Sequence, residues 1–345
     1  MITIEGYGYS EFFRNQEEQL KSLYKDELII GRVTEVHKEQ YKIIKDQGES
    51  FAKLKGSLIY KAEENNSYPT VGDFVLVKDN PCGEDIIYEV FERKSKFSRF
   101  DTCNKIEQLV AANFDYVFIM TSLNHDFNLR RVERYLTATW QSGGTPVIVL
   151  TKRDMCDDYL SKEEEMRKIA KNVDIVSISS YTGEGIDELK KYIMEGKTIV
   201  FLGSSGVGKS SLVNVLMGSH HMEVKDIRED DSKGRHTTTH RELMKIKGGA
   251  MIIDTPGMRE LSTWEGSQGL ESAFKDIEDL SEKCRFRDCT HNMEPGCAVK
   301  LALETGELSE DRWISYLKLK KEVKFIEKKY ASQRIKDKRK NRRKK

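Results

Sequence analysis

The stretch Thr198–Ser211 constrains this chain more than any other part of its sequence. It reads TIVFLGSSGVGKSS, so an apolar, β-branched run is followed by GSSGVGKS, which fits G-x-x-x-x-G-K-[ST] at every defined position. Apolar residues then return at helical spacing. Strand, glycine-rich loop and helix in this order predict backbone N–H groups around a phosphate chain at a helix N-terminus. The alternative is a chance strand–turn–helix, which the full match disfavours. The sequence therefore predicts that the chain binds a nucleoside triphosphate.

Two side chains of this phosphate loop have predicted roles of their own. Lys209 is expected to reach the β- and γ-phosphates, and the Ser210 hydroxyl is expected to bind Mg²⁺. The glycines permit close approach to the phosphates and positive φ angles. The predicted nucleotide-binding residues of the loop are Gly203, Ser204, Ser205, Gly206, Val207, Gly208, Lys209, Ser210 and Ser211.

Length and composition limit the class of protein. The 345 residues suit two or three domains with sizeable cores, and the 58 basic and 57 acidic residues nearly balance. Six cysteines in a chain of this length do not resemble the disulfide framework of a secreted protein. We find no signal peptide and no apolar run of membrane-spanning length. We therefore expect a soluble, cytoplasmic protein without membrane contact. We also expect a monomer.

The two ends of the chain differ from the rest. Residues 1–27 are expected to form a short helical lead-in with little function of its own. From Arg334 to Lys345 there are nine Lys and Arg residues and one acid, Asp337. The default interpretation of such a run is a solvated, disordered tail. The alternative is an arm that binds a polyanion such as RNA, because neutralising phosphates releases counterions.

Residues 28–98 alternate between short apolar runs and turn residues, which is typical of a small barrel. Five short strands over such a length suit a closed barrel of the OB type, a shape often used to bind nucleic acid. A barrel that serves only as a packing domain is the alternative. The five predicted strands are Leu28–Val33, Tyr41–Ile44, Phe51–Leu54, Phe74–Val77 and Asp85–Val90.

The pattern then becomes βα, and the predicted strand Pro146–Leu150 runs directly into Thr151, Lys152 and Asp154 of the segment TKRD. A guanine-specific site carries [NT]-K-x-D at this place. The Asp154 carboxylate can accept hydrogen bonds from N1–H and the exocyclic amine of guanine, and Lys152 can pack over the base. A solvated βα turn is the alternative, but the end of an apolar strand is where open α/β sheets bind ligands.

A second base-reading loop is predicted after the next strand. There Ser179 and Ser180 begin the segment SSYTGEG, and backbone N–H groups at this point can approach O6 of the base. This indication is weaker, because any helix start can carry Ser and Thr.

Two segments after the phosphate loop have the character of nucleotide switches. The long polar stretch Gly218–His240 ends in GRHTTTH, where Thr238 is the candidate to complete the Mg²⁺ shell and register the γ-phosphate. A strand then ends in DTPG, in which Asp254 is expected to hold Mg²⁺ through water and the Gly257 N–H to face the γ-phosphate. Loss of the γ-phosphate would release both segments.

The C-terminal part contains a cysteine–histidine cluster in the pattern C-x₄-C-x-H-x₅-C. Three thiolates and one imidazole can form a closed tetrahedral Zn²⁺ site. The spacing is not that of the common C-x₂-C pairs, so reduced cysteines in a helical domain remain the alternative. The four candidate ligands are Cys284, Cys289, His291 and Cys297.

The order of these segments is unusual, because the base-reading loops precede the phosphate loop and the switches. Joining the old ends of a GTPase and cutting before its base-reading half gives the same sheet in permuted order. The barrel, the order TKRD, SSYTGEG, GSSGVGKS, HTTT and DTPG, and the cysteine–histidine cluster together resemble the ribosome small-subunit-dependent GTPase A family. The resemblance covers nearly all of residues 28–330.

This resemblance implies an α/β P-loop GTPase domain, circularly permuted, with an N-terminal all-β OB-fold barrel and a C-terminal α-helical zinc-binding domain. It implies a slow GTPase that the small ribosomal subunit stimulates, that assists late maturation near the decoding region and that leaves after hydrolysis. The implied partners are GTP, GDP and the small ribosomal subunit with its rRNA. The implied cofactors are one structural zinc ion and the Mg²⁺ that binds with GTP. The predicted domain limits are 1–27, 28–98, 99–265, 266–330 and a basic tail at 331–345.

Hydrolysis needs an oriented water and a γ-phosphate whose charge is neutralised, a role that we assign to Lys209 and Mg²⁺. Thr238, which is expected to register the γ-phosphate, is also a catalytic candidate. Met258 follows D-x-x-G, where many GTPases place a glutamine, and a thioether cannot orient water. His236 matches the position that the family uses and is the catalytic candidate, with His240 as the alternative; His236 can also be a solvated loop residue. Two other functions stay open at this point: an ATP-hydrolysing P-loop enzyme in which TKRD is a coincidence, and a nucleotide-gated RNA-binding module.

Overall fold

A computed structural model describes residues 2–38, 40–65, 67–101, 106–124, 126–218, 241–254 and 268–342. In chain order its helices and strands are α1 (Glu11–Lys21), β1 (Ile29–Val36), β2 (Tyr41–Lys45), β3 (Gly48–Leu54), α2 (Gly56–Asn65), β4 (Phe74–Lys78), β5 (Asp85–Val90), β6 (Lys96–Asp101), β7 (Ile106–Ala112), β8 (Tyr116–Ser122), α3 (Leu129–Ser142), β9 (Thr145–Thr151), α4 (Tyr159–Ile169), β10 (Asp174–Ser177), β11 (Thr198–Gly203), α5 (Lys209–Met217), β12 (Glu242–Lys245), β13 (Met251–Asp254), α6 (Gln268–Ala273), α7 (Lys275–Ser281), α8 (Ala298–Thr305) and α9 (Glu310–Arg342). Short 3₁₀ helices are formed by Glu5–Tyr7, Arg153–Met155 and Ile186–Tyr192.

The first strands form the expected closed barrel. They follow the order β1-β2-β3-β5-β4, and a β1–β4 pairing closes the ring. β3 and β5 pair in parallel, while the other pairings in the ring are antiparallel. All five predicted strands are confirmed. Helix α2 lies between β3 and β4.

Alternating inward-facing residues fill the barrel. Val33, Ile43 and Val75 are each 0% exposed in one apolar cluster inside it. A second cluster lies against the outer side, where α1 brings Phe13 to within 4.3 Å of Phe74 between ring centroids. The helical lead-in is therefore packed onto the barrel, since Phe13 is fully buried.

The part of the chain with the predicted phosphate loop forms a parallel sheet in the order β10-β9-β8-β11-β13. Strand β11, which leads into the phosphate loop, lies between β8 and β13. The core on one face of this sheet contains Phe118, Val149 and Ile199, and Leu212 of helix α5 packs into it. Because parallel strands point the same way, the loops that follow these strands emerge at one edge of the sheet.

Strand β12 joins this parallel sheet to the barrel. It pairs antiparallel with β13 on one side and with β1 on the other, where Glu242 lies opposite Glu35. Barrel and parallel sheet thus form one continuous sheet of eleven strands. A separate hairpin of β6 and β7 follows the barrel and crosses residue 98, the predicted domain limit.

Contact density divides the chain into two compact units. The first contains residues 1–127, 143–165 and 172–261, and therefore includes both the barrel and the parallel sheet. The second contains 128–142, 166–171 and 262–345, so helix α3 belongs with α6–α9. In this second unit Gly269 lies against α3, because a Cβ at that position would be 2.4 Å from the Thr137 carbonyl oxygen.

Helix α9 has 33 residues and spans about 50 Å at 1.5 Å per residue. It begins with Glu310 and Asp311, where acids favour a helix N-terminus. Its last residues include most of the basic run, since the helix continues to Arg342. The default interpretation of this run as a disordered tail is therefore wrong as far as Arg342.

Candidate nucleotide site and cysteine–histidine cluster

The phosphate loop connects β11 to α5. Gly206 has φ 72° and Gly208 has φ 100°, left-handed conformations that favour glycine. Gly203 also has to be a glycine, because a Cβ there would lie 2.7 Å from the carbonyl oxygen of Met120. Helix α5 begins at Lys209, so its first N–H groups point toward the loop. This is the geometry that the motif predicted for a phosphate cradle.

The Lys209 side chain folds back along its own loop. Its Nζ donates 2.7 Å hydrogen bonds to the carbonyl oxygens of Gly203 and Ser204. The ammonium group therefore lies beside the loop backbone, half-buried, at the edge where the phosphates are predicted. Ser210 and Ser211 follow in the first turn of α5 and are likewise half-buried.

The segment TKRD lies directly beside this loop. Thr151, the last residue of β9, is buried, and its Oγ1 donates a 2.6 Å hydrogen bond to the Val207 carbonyl oxygen. Lys152 then adopts a left-handed conformation with φ 60°, which turns the chain into the 3₁₀ helix that carries Asp154. Asp154 is exposed. The predicted base-reading loop and phosphate loop are thus in contact.

The second predicted base-reading loop is a closed turn. Ser179 is 0% exposed; its N–H donates to Glu184 O, and its Oγ accepts hydrogen bonds from the N–H groups of Tyr181 and Thr182. The backbone N–H of Arg153 donates to Ile178 O, so this turn is attached to the TKRD loop. With the polar groups of Ser179 engaged in the turn, the half-buried Ser180 is the better candidate to approach a base.

Asp254 ends β13 at the same edge and is half-buried. In the antiparallel ladder it lies opposite Glu242, the first residue of β12. Five residues of the predicted site and its alternatives lie outside the described residues, namely His236, Thr238, His240, Gly257 and Met258.

One residue at this edge escaped the sequence analysis. Asp126 follows β8, and one of its carboxylate oxygens accepts a hydrogen bond from the Ser204 hydroxyl of the phosphate loop. Asn124 holds the Asp126 backbone, because its Oδ1 accepts from the Asp126 N–H at 3.3 Å and from the Ser122 hydroxyl at 2.7 Å. No motif marks this segment; its only signal was its place after an apolar strand of a parallel sheet.

The cysteine–histidine cluster is assembled in the second unit. The ligand atoms of Cys284, Cys289, His291 and Cys297 all lie within 4.8 Å of one another. The Sγ atoms of Cys284 and Cys297 are 3.9 Å apart, and His291 Nδ1 lies 3.6 Å and 3.4 Å from them, respectively. All four predicted ligands are therefore brought together.

These distances fit a tetrahedral metal site. Zinc–sulfur bonds of about 2.3 Å place two sulfurs about 3.8 Å apart across a tetrahedral edge. A disulfide would instead need about 2.05 Å. The other ring nitrogen of His291 lies 3.5 Å from the Ser281 hydroxyl, which is the outer contact that a metal-binding histidine commonly makes. Three thiols and an imidazole are the donors that zinc prefers.

The thiols differ in their surroundings. Desolvation, together with the neighbouring thiols of Cys297 and Cys284, raises the pKa of Cys289 to about 11. Although burial opposes it, hydrogen bonds from the backbone N–H groups of Val299 and Ala298, at the start of α8, lower the pKa of Cys284. A metal ion would hold all three sulfurs as thiolates at neutral pH.

Fold and site together define a P-loop GTPase whose base-reading strands precede its phosphate loop in the chain, that is, a circularly permuted one. A family model described as RsgA GTPase matches residues 90–264. This chain belongs to the RsgA GTPase family.

Similar proteins cover nearly the whole chain. A protein of Listeria monocytogenes serotype 4b, named small ribosomal subunit biogenesis GTPase RsgA 2, is 45% identical over 94% of this chain and 90% of its own length. A protein of Methanosarcina acetivorans, named small ribosomal subunit biogenesis GTPase RsgA, is 40% identical over 91% of this chain and 85% of its own.

Solved structures agree with this relationship. The crystal structure of YjeQ from Thermotoga maritima superposes with a TM-score of 0.66 at 29% identity, over 86% of this chain and 99% of that one. The crystal structure of YloQ, described as a circularly permuted GTPase, gives a TM-score of 0.61 at 27% identity, over 86% and 96%. Among the helices of the described residues, none is both long and apolar enough to cross a membrane.

Proposed function

We propose that this protein hydrolyses GTP and acts in the maturation of the small ribosomal subunit, which it binds through rRNA and leaves after hydrolysis. The observation that carries the nucleotide part is the hydrogen bond from Thr151 to Val207, which joins a base-reading loop to a phosphate loop. The names of the relatives support the part that concerns the subunit.

Guanine selection is assigned to the loop that follows β9. Asp154 is exposed there, so a ligand can reach it, and it would accept hydrogen bonds from N1–H and the exocyclic amine of guanine. Adenine has no such pair of donors. Lys152, in its left-handed conformation, would cover the base, and Ser180 would bring a backbone N–H toward O6.

Phosphate binding is assigned to the loop that follows β11. The N–H groups of Gly203–Ser211 would surround the phosphates, and Lys209 would exchange its two carbonyl contacts for phosphate oxygens. Ser210 and Thr238 would hold Mg²⁺ directly, and Asp254 would hold it through water. When bound, that ion supplies positive charge to the phosphate oxygens.

We assign the orientation of the attacking water to His236 and registration of the γ-phosphate to Thr238 and the Gly257 N–H. Met258 cannot orient water, because its thioether has no hydrogen-bond donor and is a weak acceptor. A His236→Ala variant should bind GTP with unchanged affinity and lose the subunit-stimulated turnover. Unchanged stimulated turnover would transfer the role to His240 or to a group of the partner.

The cysteine–histidine cluster is proposed to hold one structural zinc ion. Four protein ligands close the coordination sphere and leave no open position for a substrate. The barrel and the basic helix α9 are proposed to contact rRNA, since positive charge favours phosphate binding. We expect a monomer that acts in the cytoplasm.

The decisive experiment measures GTP turnover with and without purified small ribosomal subunits. We expect the subunits to stimulate the wild type, and a Lys209→Ala variant to show neither basal nor stimulated turnover. An excess of ATP should not compete with GTP. Asp154→Asn should lower the affinity for GTP about 100-fold. The same variant should gain affinity for xanthosine triphosphate, because the C2 carbonyl of xanthine can accept a hydrogen bond from the new amide.

Each competing function predicts a different outcome. Equal use of ATP and GTP by the wild type would favour an ATP-hydrolysing enzyme. A Lys209→Ala protein that still performed its task in cells would favour a nucleotide-gated RNA-binding module in which hydrolysis is incidental.

A further inference from the structure

Arg32 of strand β1 is a buried cation at the junction between the barrel and the parallel sheet. Arg32 is 1% exposed, and its Cζ lies 4.9 Å from the centre of the Phe74 ring. Burial lowers the pKa of Arg32 to about 10, while Asp115 and Asp73 act in the opposite direction. The guanidinium therefore keeps its charge at neutral pH.

The guanidinium binds four segments that are far apart in the sequence. Its Nε donates to Gly72 O at 3.2 Å and its Nη2 to Asn113 O at 2.9 Å. Nη1 donates to Tyr7 O at 2.5 Å and to the Met251 sulfur at 3.2 Å. Three backbone carbonyls and one thioether thus receive hydrogen bonds from a single side chain.

These four partners mark the junction itself. Tyr7 belongs to the N-terminal segment, Gly72 to the turn that enters β4, and Asn113 to the turn between β7 and β8. Met251 is the first residue of β13, the strand that ends at Asp254. The planar fork of arginine can bind several acceptors in fixed directions, so this side chain of β1 connects the barrel to β13.

The backbone segments at the junction are also packed closely against one another. Gly72 has φ 93°, and a Cβ there would lie 2.1 Å from Ala112 O and 3.0 Å from the Ile253 side chain. The Asn113 side chain donates to Gly72 O, the same oxygen that accepts from Arg32. A small movement of this barrel turn therefore has to displace the turn before β8, β13, or both.

A sheet ladder connects the same two parts. Glu35 of β1 lies opposite Glu242 of β12, and Glu242 lies opposite Asp254 of β13. Asp254 is thus two strands away from the barrel along one row of the sheet. Arg241 alone separates β12 from residues 219–240, which contain Thr238, the predicted switch threonine.

We propose that Arg32 is a positioning residue that fixes β13 to the barrel, so that the nucleotide bound at the end of β13 and the partner bound on the barrel influence each other's binding. The half of this statement that concerns the partner rests on the proposed function. Such a coupling is reciprocal, so nucleotide must affect the barrel to the same extent as the barrel affects nucleotide.

Three variants separate this role from ordinary stability. Arg32→Met removes the fork and keeps an apolar stem. Met251→Leu conserves volume and removes only the β13 acceptor, so it leaves a folded protein. Lys45→Met is the matched control, because Lys45 is also a buried cation of the barrel, but its partners Asp79 and Asp85 both lie within the barrel.

The first measurement is amide hydrogen exchange of the full chain with GDP and with a non-hydrolysable GTP analogue. We expect the two nucleotides to protect the segment from Thr70 to Lys78 differently in the wild type and in Lys45→Met. In Arg32→Met this difference should fall by about fivefold or more, and in Met251→Leu by a smaller factor. No difference in the wild type, or a full difference in Arg32→Met and Met251→Leu, would overturn the proposal.

The second measurement is GTP turnover with purified small subunits. We expect Arg32→Met to keep basal turnover within about twofold of the wild type and to lose stimulation about tenfold, whereas Lys45→Met stays stimulated. Stimulation of Arg32→Met equal to that of the wild type would contradict the role of Arg32. A wild type that subunits do not stimulate would instead contradict the proposed function, and hydrogen exchange would still decide the role of Arg32.

Discussion

The hydroxyl of Thr151 donates a 2.6 Å hydrogen bond to the carbonyl oxygen of Val207, and this bond attaches the loop that would read the base to the loop that would bind the phosphates. Both residues are buried. Because this bond is shielded from water, loss of the Thr151 hydroxyl leaves the Val207 carbonyl oxygen without that donor, and water does not replace it. The proposed nucleotide site would therefore depend on this contact between a side chain and the neighbouring loop as much as on the groups that touch the ligand.

Thr151→Ala should weaken binding of GTP and GDP about fivefold, since one buried hydrogen bond contributes about 1 kcal/mol. Titration with a fluorescent GDP analogue measures the affinity. Thr151→Ser keeps the hydroxyl and is the control that should bind nearly as the wild type does. Equal affinities of the alanine and serine variants would show that the bond does not support the site.

Asp126 is expected to lower nucleotide affinity, because its carboxylate contacts Ser204 in a loop that would receive negative phosphates. Asp126→Asn keeps an acceptor for the Ser204 hydroxyl and removes the charge. GTP and GDP should then bind about fivefold more tightly in low salt, with a smaller gain in high salt.

The control for this prediction is Ser204→Ala, which removes the hydroxyl and keeps the carboxylate. Titrations of both single variants and of the double variant give the coupling between the two side chains. Weaker binding by Asp126→Asn would mean that the carboxylate supports the loop and that repulsion is secondary.

Loss of the proposed zinc ion should destabilise the second unit in particular. Cys289→Ser should lower the zinc content from one ion per chain to near zero and lower the melting temperature by about 10 °C. Cys82→Ser, at an exposed cysteine of the barrel, is the matched control and should change neither quantity. Zinc affinity should also fall in acid, because protons compete for the thiolates. Full zinc content in Cys289→Ser would exclude Cys289 as a ligand.

The second unit also contains a buried ion-pair network around Arg312. Its guanidinium donates to Glu133 of α3 at 2.7 Å and to Asp276 of α7 at 2.8 Å and 2.9 Å. Although burial opposes it, the hydrogen bonds and charge of Arg312 lower the pKa of Asp276. A carboxyl whose folded pKa lies below its unfolded value stabilises the fold above the unfolded pKa and loses that contribution as the pH falls.

Asp276→Asn should therefore reduce the free energy of unfolding by about 3 kcal/mol at pH 7, because it leaves the buried Arg312 with one charge partner fewer. The difference from the wild type should shrink as the pH falls below the ordinary range of an aspartate. Asp279→Asn, at an exposed acid on the same helix, is the control and should have little effect. Denaturant titrations from pH 3 to 7 would measure both. A difference that does not depend on pH would refute the role of the Asp276 charge.

Local patterns predicted much of this fold. The alternation in residues 28–98 placed five barrel strands, and the apolar runs before TKRD, GSSGVGKS and DTPG placed three parallel strands whose loops share one edge. Both patterns are local, because strand periodicity and turn glycines can be recognised from a few consecutive residues. The four candidate zinc ligands lie within 14 residues, so short-range sequence spacing was enough to predict that they come together.

Pairings between distant segments could not be predicted in this way. Strand β12 has only four residues. It is a strand because it pairs with β1 on one side and with β13 on the other. Arg32 lies in a strand whose pattern gave no reason to expect a buried cation, since its acceptors are backbone carbonyls and a sulfur contributed by other segments. Asp126 was missed for the same reason, because its partner Ser204 lies in a loop much later in the chain.

Strand β12 has a practical consequence for anyone who wishes to divide this protein. A shortened chain that ends after β5 would leave the β12-facing edge of β1 without its partner, and a chain that begins after β5 would bare the matching edge of β12. Unprotected edges invite pairing with another copy and aggregation. The boundary that composition suggests is therefore a poor place to cut, and the barrel should be soluble only when expressed together with the sheet that completes it.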